Sequence, residues 1–246
     1  MAIHAYLSGS TGLVGSHILA TLANTSGFSS ITTFGRRAPP SPPTSATFTP
    51  LTNSDSSRWK DQLSSQLSRS SAGGAVFFSA LGTTRAKAGG LEAQRKIDHD
   101  LPVSLATGLA ADKHQERKVF VLISSAGAST SSLFPYSRMK GDTEAAVEAL
   151  EGLAHVVILR PGLIVGTRRQ EDSRPTEYVA RCVANFMGKV LGNWGKDFWA
   201  QDAEVIARAA VSAGVRCAEG GVKERVWVLG QSDIVRLGRT EWGKKN

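Results

Sequence analysis

The chain has 246 residues, 41% hydrophobic and 20% charged, a profile of folded globular proteins that excludes disordered and fibrous architectures. No stretch reaches the roughly 18–20 uninterrupted apolar residues of a bilayer span, since even HVVILRPGLIVG is broken by Arg160 and Pro161, so membrane contact is expected to be peripheral. Lys and Arg outnumber Asp and Glu by 29 to 21, and the resulting +8 favours anionic partners such as phosphorylated cofactors, nucleic acid or acidic lipid.

In chain order, Ile3 to Ser8 is a short β-rich run leading into Gly9, and Gly12 to Asn24 has helical spacing. No Asp or Glu precedes Asp55, so on composition the N-terminus resembles a transit peptide. Cleavage there would discard the first strand and the glycine turn after it, and the N-terminus is therefore expected to be retained. A second strand, ITTFGRR, ends in Arg36 and Arg37; the proline-rich Ala38 to Thr47 then reads as an irregular surface loop. Further on come a helix over about Ser56 to Leu67, a strand at Ala75 to Leu81, and a helix from Leu91 to His114 with a kink at Pro102. They are followed by a strand at Lys118 to Ser125, a helix from Tyr136 to Glu151, and a strand from His155. Strands alternating with helices of this length predict an α/β, doubly wound parallel sheet, a Rossmann fold, with 1–246 as one domain. After Arg160 the pattern loosens into helices around Glu177 to Leu191 and Asp202 to Cys217 and a strand at Arg225 to Leu229. Residues 161–246 are read as a small substrate-side cap.

Gly9, Gly12 and Gly15 stand in a GxxGxxG spacing between the first strand and the first helix. Glycines there allow a tight turn and close approach of a pyrophosphate, which the helix N-terminus attracts through unpaired N–H groups and partial positive charge. An NAD-selective site places an acidic residue near the end of the second strand to bind the ribose diol. Here Arg36 and Arg37 stand in that region without a carboxylate, and guanidinium forks match a 2′-phosphate, so NADP(H) is the expected cofactor. Tyr136 and Lys140, four apart at the start of a helix, share a face. A nearby ammonium is expected to lower the phenol's pKa, making Tyr136 a proton donor to a carbonyl oxygen that Ser124 or Ser125 holds.

GSTGLVG, the strand-end SS and YSRMK together resemble a short-chain dehydrogenase/reductase. More narrowly, FGRR, SALGTTRAKAG, SSAGAS, YSRMKGDTE, RPGLIVG and RQEDSRP resemble the atypical branch containing the Tat-interacting-protein oxidoreductase and its fungal mitochondrial-proteome (FMP) relatives. The motifs run from Gly9 to Pro175. By position the resemblance implies cofactor contacts from Thr11, Gly12, Leu13 and Val14, the 2′-phosphate clamp at Arg36 and Arg37, and backbone contacts at Leu81 and Gly82. It also implies Tyr136 as proton donor, Lys140 as the ribose-binding lysine, Ile164 beside the nicotinamide and a later contact from Arg174. Asp98 stands roughly where many reductases have the Asn of a proton relay. A mitochondrial location is implied as well, read here as peripheral attachment to the outer membrane or to a protein on it.

Cys182 and Cys217 are too few for a disulfide framework or a Cys-rich zinc site and point to a reducing compartment and core roles. His4, His17, His99, His114 and His155 lack metal-ligand spacing. Trp194, Trp199, Trp227 and Trp242 lie in the last third, where they fill a small core or line a substrate cleft; Arg168 and Arg169 read as solvated. The basic residues are dispersed among acidic ones, which argues against nucleic-acid binding. Two functions are carried forward: an NADPH-dependent reductase of a small-molecule carbonyl, and an NADP(H)-binding sensor or scaffold with little turnover.

Overall fold

The computed structural model describes residues 2–44, 47–165 and 200–242. Arg174, Arg168, Arg169, Cys182, Trp194, Trp199 and the helix expected over Glu177 to Leu191 lie outside them.

Nine strands are described: β1 (Ile3–Ser8), β2 (Ser30–Gly35), β3 (Phe48–Thr52), β4 (Gly74–Ser79), β5 (Arg117–Ile123), β6 (His155–Leu159), β7 (Leu163–Val165), β8 (Ala200–Asp202) and β9 (Val226–Leu229). Seven form one sheet in the order β3-β2-β1-β4-β5-β6-β9, parallel at every pairing, as in a doubly wound Rossmann fold. β7 and β8 pair separately, also in parallel. Each central strand divides its side chains between the two faces, as period-two geometry requires. In β4, Val76 and Phe78 join the core shared with α1 (Leu13–Ala23), while Ala75 and Phe77 join that beneath α2 (Trp59–Arg69). On the second face Phe34 of β2, Phe77 of β4 and Phe120 of β5 form a stacked row at centroid separations of 6.0 and 5.4 Å, the first pair meeting over β1. Burying a Phe side chain contributes roughly 1.5–3 kcal/mol, so this row and its aliphatic neighbours are a main source of stability on that face.

The remaining helices are α3 (Arg85–Ala88), α4 (Leu91–Arg95), α5 (Leu101–Ala111), α6 (Pro135–Glu148), α7 (Ala203–Ala218) and α8 (Gln231–Val235). Four sequence expectations change. The helix placed over Leu91 to His114 ends at Ala111, and its break is a π-helical turn at Lys96–Asp100 rather than a kink centred on Pro102. Pro102 sits in the first turn of α5, where a missing N–H costs nothing. β3 was unforeseen: it is an edge strand, and an edge tolerates Pro50. Within the C-terminal stretch, α7 and β9 belong to the main layers: α7 packs on α1 and on the sheet beside β4, β5 and β6, and β9 is the seventh strand. The Ala-rich α7 buries 11 of its 16 residues, including Cys217, whose thiol burial pushes up to about 12, leaving it neutral and structural.

Candidate functional site

The strand order reverses between β1, which neighbours β2, and β4, which continues toward β5, so a crevice opens at the carboxyl ends of β1 and β4. The glycine turn sits there. Gly9 has φ of +85°, and a Cβ on it would lie 2.5 Å from the Ala80 carbonyl oxygen at the end of β4. A Cβ on Gly15 would lie 2.0 Å from the Gly9 carbonyl oxygen, so this glycine lets α1 close onto the turn. Gly12 closes the loop by donating to the Gly9 carbonyl at 2.9 Å and serves as N-cap. No side chain caps α1, and no acidic residue occupies its first turn. The N–H groups that an α-helix leaves unpaired at its start therefore face the crevice uncompensated.

Two further observations test the fit of a dinucleotide. Ser8 and Ser79, register partners at the ends of β1 and β4, bury their hydroxyl oxygens without a partner among the described residues. Arg36 and Arg37, directly after β2, are exposed, and among the described residues neither enters an ion pair. Thr11 is exposed at the turn; Leu13 and Val14 begin α1, with Val14 buried against the core. Leu81 and Gly82 follow β4 after Ala80, and a Cβ at Gly82 would meet nothing within 4 Å. A phosphate-bearing group fits this arrangement of bare backbone, helix N-terminus and free guanidinium groups.

Across the crevice, β5 ends at Ile123 and Ser124 and Ser125 follow. The two serines differ in employment. Ser124 is buried and donates a short hydrogen bond to Glu144 Oε1. Ser125 is half-buried, donates to the Ala126 carbonyl at 3.3 Å, and lies on the Tyr136 side of the loop, where it counters the upward shift of the phenol. Of the two, Ser125 is thus the one gathered at Tyr136. Tyr136 and Lys140 lie on α6 with Glu144 a further turn on, so all three share a face. Glu144 also accepts from Arg160 at 3.2 and 2.5 Å, an ion pair tying α6 to the end of β6.

The electrostatics contradict the expectation that Lys140 depresses the Tyr136 phenol. Tyr136 is 44% exposed as a residue, yet protein encloses its hydroxyl end, and that burial, reinforced by the Asp98 carboxylate, pushes the phenol above its ordinary value. Only the neighbouring Ser125 hydroxyl opposes it. Lys140 is 3% exposed and donates to the Ile123 carbonyl at 2.9 Å. Its burial pulls the ammonium downward, resisted by Asp98 and Glu144. Among the described residues the ammonium's hydrogen bond goes to the Ile123 backbone rather than to the phenol.

Asp98, noted in the sequence near the relay position of many reductases, and Gln94, which was not singled out beforehand, complete the site. Asp98 Oδ1 accepts the Thr83 N–H at 2.8 Å, and Gln94 bridges the Thr83 carbonyl at 3.0 Å and Asp98 Oδ2 at 3.4 Å. Glu144 was legible in principle, since Tyr136, Lys140 and Glu144 recur every four residues on a helix. Gly141 was legible as a helix-interior glycine, a residue that costs about 1 kcal/mol there and so signals close packing. Ile164, in β7, packs against the core shared with α1, and Trp227, in β9, does the same.

This topology, with a glycine turn at the point where the strand order reverses, defines a doubly wound Rossmann-type fold. Solved structures agree. The UDP-glucose 4-epimerase structure superposes with a TM-score of 0.66 at 14% identity, covering 98% of this chain and 82% of that one. MoeE5, solved with UDP-glucose and NAD, gives 0.64 at 16% identity over the same shares. In sequence, "Protein fmp52-1, mitochondrial" of Aspergillus terreus is 49% identical over 95% of this chain and 97% of its own length. The family model HIM1 matches residues 74–191. The chain belongs to the family of fmp52 mitochondrial proteins.

Proposed function

We propose that this protein is an NADPH-dependent oxidoreductase of the short-chain dehydrogenase/reductase type, reducing a small carbonyl compound. The observation that carries the reading is the meeting, at one sheet edge, of an uncapped glycine turn after β1 with the serine pair after β5 and the Tyr136/Lys140 face of α6, whose Lys140 donates to the Ile123 carbonyl. Gly9, Thr11, Gly12, Leu13, Val14 and Gly15 would hold the pyrophosphate, Arg36 and Arg37 the 2′-phosphate, and Leu81, Gly82 and Ile164 the remaining length. When bound, the dinucleotide supplies the hydride. The chain's own residues manage the proton and the geometry. Ser125 orients the carbonyl oxygen toward the phenol, Tyr136 donates its proton to that oxygen, and Lys140 stands one turn behind on the ribose side.

One geometric fact favours a second reading, that the chain binds NADP(H) as a sensor or scaffold with little turnover: Lys140 is committed to the Ile123 carbonyl. NADPH consumption across a panel of aldehydes, ketones and quinones separates the readings. Reduction of at least one compound, lost in Tyr136→Phe, supports the enzyme; tight NADPH binding with no consumption supports the sensor. The same protein tests cofactor choice. NADPH should bind at least tenfold tighter than NADH, about 1.4 kcal/mol. Replacing both Arg36 and Arg37 with Ala should erase most of that margin while NADH binding persists, and equal affinities in the unaltered protein would refute the clamp.

The reading extends to place. The fmp52 relatives are named mitochondrial proteins, the charge is +8, and among the described residues no helix is long and apolar enough to cross a membrane. These support peripheral attachment at the cytosol-facing surface of the outer mitochondrial membrane, through anionic lipid or a protein there. High salt shortens the Debye length from about 10 Å at 0.1 M to about 3 Å at 1 M, so a salt or carbonate wash should release the intact chain. External protease should digest it on unbroken mitochondria; protection there would place it inside.

A further inference from the structure

The loop between β5 and α6 ends in two large apolar side chains that the fold does not use. Leu133 is 90% exposed and Phe134 75% exposed, and neither joins either hydrophobic core. Local helix chemistry does not account for them. Phe134 is the N-cap of α6, a position that favours Ser, Thr, Asp or Asn, and no side chain caps the helix there. Leu133 precedes the cap, where an apolar residue ordinarily packs on the fourth helical residue. Here that residue is Arg138, whose guanidinium donates to the Ser132 carbonyl at 2.9 Å. Exposed apolar groups gathered at one tip mark a contact surface.

The charge around this tip is one-sided. β4 and β5 are parallel neighbours, so the connections that follow them leave the same edge of the sheet. Residues 80–91 carry Arg85 and Lys87 and no carboxylate, and residues 124–141 carry Arg138 and Lys140 and no carboxylate either. Arg85, Lys87 and Arg138 are exposed, and among the described residues none of the three enters an ion pair. The start of α6 adds the positive end of a helix with no acidic residue in its first turn. The opposite edge of the sheet is mixed and richer in acid: the connections leading into β5, β6 and β9 hold Asp112, Glu116, Glu151, Glu219 and Glu224 against Lys113, Lys223 and Arg225.

We propose that Leu133 and Phe134, with Arg85, Lys87 and Arg138, form the surface by which this chain docks on an anionic phospholipid bilayer, the apolar pair entering the acyl boundary and the cations meeting lipid phosphates. The inference rests on the reading of peripheral attachment and names its partner as lipid. An apolar anchor or a basic patch alone holds a protein weakly and reversibly, whereas the two together give stable attachment. This edge has both. The cations stand on two separate connections, an arrangement that a planar, diffusely charged surface meets all at once. Phe134 lies two residues before Tyr136, so docking here turns the Tyr136 side of the crevice toward the bilayer.

The test is cosedimentation of the full chain with vesicles of phosphatidylcholine alone and of phosphatidylcholine mixed with phosphatidylserine. The chain should bind the mixed vesicles and leave them at about 1 M salt, where the Debye length is about 3 Å. Leu133→Ser combined with Phe134→Ser should weaken that binding by about tenfold or more, and Arg85→Gln combined with Lys87→Gln by a similar factor. All four side chains are exposed, so both variants should unfold thermally at the same midpoint as the unaltered chain, which separates lost docking from lost folding. Equal binding to the two kinds of vesicle, or mixed-vesicle binding unmoved by the Leu133/Phe134 variant, overturns the proposal. Salt release from mitochondria without binding to either vesicle would keep peripheral attachment, assign it to a protein and overturn the lipid surface. Self-association that the Leu133/Phe134 variant loses, again without vesicle binding, would assign the pair to a second copy of the chain and overturn it too. Vesicle binding as expected, with protease protection on unbroken mitochondria, would refute the outer-surface location and leave the docking surface standing.

Discussion

Tyr136→Phe should lose carbonyl reduction by about 10²–10⁴-fold while binding NADPH almost as well as the unaltered protein. That range corresponds to about 3–5 kcal/mol of barrier, the size of a general-acid contribution. The substitution removes one oxygen from a residue that is 44% exposed, so no core packing is lost and the fold should survive. Lys140→Ala should behave differently. Its ammonium is buried, bonded to Ile123 and shared between Asp98 and Glu144, so its removal leaves two carboxylates with less compensation and should weaken both folding and nucleotide binding. Isothermal titration of NADPH beside single-turnover rates measures the two effects separately. The pH dependence has a definite sign. A donor must be protonated, and burial together with Asp98 moves the Tyr136 phenol upward, so the reductive rate should hold level through neutral pH and fall only in the alkaline range. A Tyr136→Phe protein with full activity would remove the phenol from the mechanism.

The parts of this molecule written in local pattern were readable before its structure. Buried parallel strands are short runs of Val, Ile and Phe, and β1, β4, β5 and β6 carry that mark within a residue or two of their ends. The glycine turn was readable because a strand precedes it and a helix follows. β3 was not, since FTPLT has neither an apolar run nor alternation and lies on an edge that needs neither. The placement of α7 and β9 was also hidden, because both follow a break in the strand–helix rhythm and only the tertiary fold returns them to the sheet. At the site, the positions of Tyr136, Lys140 and the serine pair were legible, whereas the choice of Ser125 depended on Ser124 being taken up by Glu144 from the facing helix. The sign of the electrostatics at Tyr136 was the deepest omission. Asp98 lies 38 residues upstream, and a π-helical turn carries it inward to Thr83 and Gln94, which no spacing rule for α6 contains.

Gly141→Ala should be a strongly damaging single-methyl change, although this residue touches neither a reacting group nor the glycine turn. It lies in α6 directly after Lys140, where Ala would ordinarily stabilise a helix by about 1 kcal/mol. Here the added Cβ would fall 2.3 Å from the Ser129 carbonyl carbon and 2.5 Å from the Thr130 nitrogen, and both neighbours are backbone. The Ser129 N–H bonds the Ser137 carbonyl at 3.1 Å, so loop and helix are already fastened at this point. Relief must come from moving α6 away from the segment that begins at Ser125. Overpacking of this kind typically costs 1–3 kcal/mol, which exceeds the gain in helix propensity, and a clash with backbone belongs near the upper end. The displacement should also separate Ser125 from Tyr136, lowering the rate more than the stability loss alone explains. Gly27→Ala is the matched control, since a Cβ there meets nothing within 4 Å and its backbone is unstrained. Thermal unfolding of both variants beside their reductive rates checks the expectation. A Gly141→Ala protein as stable and active as Gly27→Ala would show that α6 and the Ser125 loop are not held in the close contact on which the site depends.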